Sequence, residues 1–257
     1  MWPIQKFNRT YCAGNNMKKV TLKSIARLLV CASICLSTLS VLGDVVYDNT
    51  TNKLNQVYAP GVDSSGNGIE FGDQIILGGD PALRTLNSFT FEYFLNQSSG
   101  NERITFSLYN NDGPVVPTNP SAHAPGSLIF SFGTDSIGLS GPNHDGADGS
   151  TLQYTAPPGI ILPENFTWVV QFSGIDPGEV AGLELYNPPA VGNGFDDFWQ
   201  KNPATGLWDL TVNTNGIPMS FGARVDAVPE ASSLALGMLA GTLWLGVTVV
   251  RRKLAKA

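Results

Sequence analysis

The 257-residue chain has little cysteine, little histidine and few charges. Its three cysteines, Cys12, Cys31 and Cys35, all lie near the N-terminus, so nothing beyond residue 35 can rely on a disulfide or a thiolate–metal link. The two histidines, His123 in NPSAHAPG and His144 in GPNHDGADG, have no second histidine or cysteine at ligand spacing, which argues against a transition-metal centre. No GxSxG turn offers a serine nucleophile. Between Asp44 and Ala227 no stretch carries the 3.6-residue apolar period of a helix, so a parallel α/β architecture with crossover helices is not expected.

Basic residues are also scarce in the central part of the chain. All 21 acidic residues fall between Asp44 and Glu230, a span with only five bases (Lys53, Arg84, Arg103, Lys201 and Arg224) and hence a net charge of −16. Such a surface repels nucleic acid and anionic lipid, while cations and neutral glycans remain open as ligands.

The N-terminal region has the composition of a secretory leader. Lys18, Lys19, Lys23 and Arg27 precede an uncharged stretch from Leu28 to Leu42, about the length of a signal-peptide apolar region and short for a membrane span. Val41 and Gly43 supply the small residues for a cleavage after Gly43. Residues 1–43 are therefore assigned to the leader, with Met17 the expected true start, because the first sixteen residues lack leader character. Val30 and Ile34, ahead of Cys31 and Cys35, lack the small side chains that N-terminal lipid attachment needs.

Residues 44–227 carry short runs of period two. Phe89, Phe91 and Tyr93 alternate with Ser88, Thr90 and Glu92; Ile104, Phe106 and Leu108 repeat the pattern. So do Leu128, Phe130 and Phe132; Phe166, Trp168, Val170 and Phe172; Leu183 and Leu185; and Met219, Phe221, Ala223 and Val225. Segments rich in Gly, Pro, Asn and Asp separate them. About ten strands, each burying one face, predict an all-β ectodomain built as an antiparallel sandwich or jelly roll.

Two stretches could carry a ligand. Asn143–Ser150, NHDGADGS, sets Asp145 and Asp148 in a glycine-bent loop, an oxygen-rich arrangement that could hold Ca²⁺ but lacks EF-hand spacing; an exposed acidic hairpin loop is the alternative. Gly192–Leu210 places Trp199 and Trp208 near Asp196 and Asp197. Aromatic planes that stack on sugar rings beside carboxylates that take hydroxyl hydrogen bonds make a glycan-binding surface, whereas plain core packing is the other account of these aromatics. Glycoside hydrolysis needs two carboxylates facing one bond, and adjacent Asp196 and Asp197 would point to opposite faces of a strand. No catalytic residue is assigned, and a non-enzymatic protein is expected.

The C-terminal tail, residues 228–257, begins Val228-Pro229-Glu230-Ala231 and continues into an apolar run, Leu234–Val250, that reaches about 20 residues with Ala231–Ser233. As a helix it is about 30 Å long, enough for the hydrocarbon core. Arg251, Arg252 and Lys253 follow at once, which predicts a cytoplasmic C-terminus and an ectodomain on the far side of the membrane. This layout resembles the PEP-CTERM sorting signal of exported bacterial proteins, with a Pro-Glu-Pro-like motif, a transmembrane helix and an Arg-rich end; Ala231 stands where the pattern has its last proline. The resemblance implies processing by an exosortase, first in the inner membrane, and association with the cell surface or an extracellular polysaccharide matrix. On this reading the ectodomain is structural or adhesive, with a glycan-binding module as the alternative and a glycoside-active enzyme behind it.

Overall fold

A computed structural model of the chain describes residues 43–63, 67–97, 99–117, 119–133, 149–212 and 215–229. Among the described residues there is no helix, and every paired strand runs antiparallel to its neighbour. The described part of the chain is all-β, as its alternating runs predict. The leader, the Asp145 and Asp148 loop and the tail beyond Pro229 lie outside the described residues.

Strands are numbered in chain order. The first sheet contains β1 (Asp44–Asp48), β2 (Lys53–Tyr58), β4 (Leu83–Asn96), β9 (Ser150–Thr155), β11 (Val180–Tyr186) and β15 (Ala223–Pro229). The second contains β3 (Phe71–Ile76), β5 (Arg103–Asn110), β8 (Leu128–Gly133), β10 (Asn165–Ser173), β12 (Asn193–Gly194), β13 (Asp197–Lys201) and β14 (Trp208–Val212). A separate small hairpin pairs β6 (Val115–Val116) with β7 (Asn119–His123).

The 14-residue β4 is the spine of the first sheet. One edge pairs first with β15, from Pro229↔Leu83 to Ala223↔Phe91, and then with β11, from Leu183↔Tyr93 to Val180↔Asn96. Its other edge pairs with β9, from Thr155↔Ser88 to Ser150↔Tyr93. Beyond β15 lies β1, and beyond β11 lies β2. The second sheet runs β14-β13-β3-β10-β5-β8, with β12 beside β13 along β3.

Alternation decides which side chains meet between the sheets. Phe166, Trp168, Val170 and Phe172 from β10 and Phe89, Phe91 and Tyr93 from β4 are buried in one cluster, with Phe221 and Val225 from the C-terminal end. Rings from the two sheets touch directly: Phe89 and Phe106 at 4.6 Å between centroids, Phe91 and Trp168 at 5.8 Å. Each fully buried side chain of this size contributes about 1.5–3 kcal/mol, so the core holds without disulfides.

Strand β8 departs from the expected buried face. It is an edge strand, and there Leu128 and Phe132 are exposed while Phe130 is half-buried. Tyr154 of β9, at the edge of the other sheet, meets Phe130 at 5.4 Å and Phe132 at 4.7 Å. One tyrosine thus closes this side of the core, which lets the outer residues of β8 remain in water.

Candidate functional site

The two tryptophans singled out by the sequence meet on the outer face of the second sheet. β13 and β14 pair with Trp199 opposite Leu210 and Lys201 opposite Trp208. Trp199 is completely buried, packed with Ala122, Ala124, Val116, Trp208 and Leu210, so the segment that includes the β6–β7 hairpin covers it. Its indole Nε1 donates to Gln74 Oε1 at 3.5 Å. Burial leaves Trp199 no face for a ligand.

Trp208 is different: it is half-buried and ringed by polar groups. Lys201 Nζ lies 5.2 Å from its ring centroid, a cation–π contact, and Tyr109 approaches edge-on at 5.8 Å. Glu70 joins the two, accepting from Lys201 Nζ at 2.8 Å and from Tyr109 Oη at 3.1 Å. Burial, reinforced by the Glu70 carboxylate, pushes the Tyr109 phenol up to about 12, so at neutral pH it is a donor. The result is a small surface of one indole, one phenol, one ammonium and one carboxylate.

Asp196 and Asp197 are not part of that surface. Asp197 pairs with Val212 at one end of the β13–β14 ladder and Trp208 stands at the other, four residues along, or about 13 Å. Asp196 is exposed; Asp197 is half-buried, its carboxyl raised by burial and then by neighbouring Asp196. Asp209 is also exposed, accepting from Asn202 Nδ2 at 3.1 Å across the β13–β14 turn. Glu70 and Tyr109 were not readable in the sequence, because 39 positions separate them and no spacing rule joins them.

A second polar group lies on the first sheet. Lys53 of β2 forms an ion pair with the fully buried Glu184 of β11, and Tyr186 donates to Glu92 of β4. The Tyr186 ring lies over Gly222, where a Cβ would come within 2.7 Å of ring carbons. Gly149 lies against Glu184; its Cβ would be 2.5 Å from Oε1. The chain entering β9 is thereby held over the buried carboxylate.

Between the sheets lies Asp73, wholly buried on β3. Asn49 Nδ2 donates to Ser220 Oγ at 2.8 Å, and the Phe221 backbone N–H donates to Asp73 Oδ2 at 3.3 Å. Burial raises the Asp73 carboxyl well above the ordinary aspartate range. Enclosed in the core, it is a group for holding the sheets together and has no open face for a substrate.

Among the described residues no three His, Cys, Asp or Glu side chains converge as metal ligands. His123 is exposed, its Nδ1 3.3 Å from the Gly113 carbonyl. No family model, curated protein or solved structure matches the chain.

The remaining sequence motif meets the structure at one point. Val228 and Pro229 are the last residues of β15, opposite Thr85 and Leu83 of β4. Glu230, Ala231, Arg251, Arg252 and Lys253 lie outside the described residues.

Proposed function

We propose that the chain is an exported cell-surface or extracellular-matrix protein, delivered by its leader, held in the inner membrane by its tail and processed there by an exosortase-type enzyme. The ectodomain is read as a β-sandwich with a structural or adhesive, non-enzymatic role. One observation supports this reading above the others: Asp44, the first residue after the predicted leader, stands opposite Ala227, just before the tail motif. A domain with one processed segment ahead of it and one behind is suited to export when both leave it side by side.

Deleting Glu230–Ala257 tests the reading without touching β15. The truncated protein is expected in the medium or periplasm, and unchanged surface display would overturn the role of the tail.

The half-buried Trp208, with Tyr109, Glu70 and Lys201 around it, supports a second reading, a glycan-binding surface. A glycan array probed with residues 44–229 should give a signal that Trp208→Ala abolishes. An array without signal returns the domain to the structural role.

A further inference from the structure

We propose that the end of the domain where β1 begins and β15 finishes is a membrane-facing surface, with Pro81, Ala82 and Ile161 at the headgroup level of a zwitterionic bilayer. This rests on the reading of the C-terminal apolar run as a membrane segment and adds to it an orientation and a lipid-contacting patch.

The leader is joined to the domain at this end, and the apolar tail leaves from it over a short distance. β1 and β15 are antiparallel neighbours, Asp44 opposite Ala227, so the chain enters where it leaves. The apolar stretch Leu28–Leu42 stops one residue before Gly43, whose position beside Asn87 and the Ala227 carbonyl belongs to the same end. After Pro229 the apolar run starts at Leu234, and five residues span at most about 17 Å when fully extended. The headgroup layer occupies about 5–8 Å on each side of the hydrocarbon. A domain tethered so closely at one end cannot hold that end far from the lipid.

The side chains presented there suit the place. Ile161, 55 % exposed, bridges to Thr85 across β4 from Val228, and Leu83 pairs with Pro229. Pro81 and Ala82 are exposed on the turn before β4. That turn is rigid: Asp80 Oδ1 accepts from the Ala82 N–H at 2.9 Å, and Arg84 Nη1 donates to the Asp80 and Leu83 carbonyls at 3.1 and 2.9 Å. Spent on carbonyls and only 9 % exposed, Arg84 offers little to lipid phosphate, while Asp44, Asp80 and Glu164 carry exposed negative charge. The charge at this end disfavours an anionic leaflet, which is why the surface is assigned to zwitterionic lipid.

The test uses the full chain with Cys12, Cys31 and Cys35 replaced by serine, reconstituted into phosphatidylcholine vesicles that carry a headgroup nitroxide quencher. A single cysteine bearing a fluorophore is placed by Ile161→Cys, by Ala82→Cys or, beyond the far end of β4, by Asn101→Cys. All three positions are exposed, so the substitutions leave the core intact. Labels at 161 and 82 should be quenched several-fold more than the label at 101. Equal quenching at the three positions, with the chain retained in the membrane after alkaline carbonate, overturns the orientation alone. Extraction of the chain by carbonate overturns both the orientation and the membrane reading on which it rests.

Discussion

Ser220 Oγ donates to Asp73 Oδ2 at 3.1 Å inside the core, where neither residue is more than 1 % exposed. The contact joins β3 of one sheet to the segment that leads into β15 of the other. A carboxyl placed there is held above its ordinary titration range, chiefly by burial, so the folded protein binds its proton more tightly than the unfolded chain does.

Linkage gives the sign. Below the unfolded aspartate value both states are protonated and the group contributes no pH dependence. As pH rises from there to the folded value, the wild type loses about 1.4 kcal/mol of stability per pH unit relative to a neutral isostere. Asp73→Asn, which can still accept from Ser220 and Phe221, should therefore gain on the wild type with rising pH until the folded carboxyl has titrated. Urea unfolding of both proteins from pH 4 to 9 measures this, and a constant difference across the range refutes it.

Gly72 should tolerate no side chain. An added Cβ would lie 1.9 Å from the Trp168 carbonyl oxygen and 2.5 Å from Val169 Cα, both backbone atoms of the central strand β10. Gly72→Ala is expected to cost about 3 kcal/mol or more, at the upper end of overpacking penalties, or to prevent folding. Circular dichroism melting checks it, and a melting temperature within two degrees of wild type would count against the packing described.

The two tryptophans should separate in a mutational comparison. Trp199→Ala opens a cavity beneath the small hairpin and should cost about 3–5 kcal/mol. Trp208→Ala removes a half-buried ring and a cation–π partner and should cost about 1–2 kcal/mol. Equal losses in equilibrium unfolding would contradict the difference in their burial.

For the buried ion pair, the single changes should be worse than the double. Lys53→Met leaves the Glu184 carboxylate in the sheet without its ammonium and should cost about 3 kcal/mol. Adding Glu184→Gln should recover most of that loss. A double-mutant cycle with no coupling would show that solvent already screens the pair.

The legible part of the fold was the part with alternation. β4, β5 and β15 each carry a buried apolar face whose periodicity is plain in the chain, and β10 shows the same alternation of large apolar residues although Thr167 and Val169 on its other face are buried too. β3 was not readable, because FGDQII is buried on both faces and spends its polar residues internally: Asp73 receives Ser220, and Gln74 serves Trp199 and Asn165. β2 was missed for the opposite reason, an edge strand with three exposed residues in KLNQVY and no apolar face to betray it. The candidate site was half legible: Trp199 and Trp208 are close in sequence and their pairing is local. Glu70 and Tyr109 come to Trp208 only through the order β13-β3-β10-β5, and strand order is a property of the assembled sheet.

β15 also bears on the timing of folding. It lies between β1, which is made first, and the spine β4, so two of the longest-separated segments of the chain must meet through it. Until residue 229 has been synthesised, β1 lacks its partner and one edge of β4 is open over most of its length. Contacts of such long sequence separation form slowly and late. The half-made protein thus presents an unpaired strand edge to its surroundings. Completion of the first sheet and arrival of the apolar tail become, in time, nearly the same event.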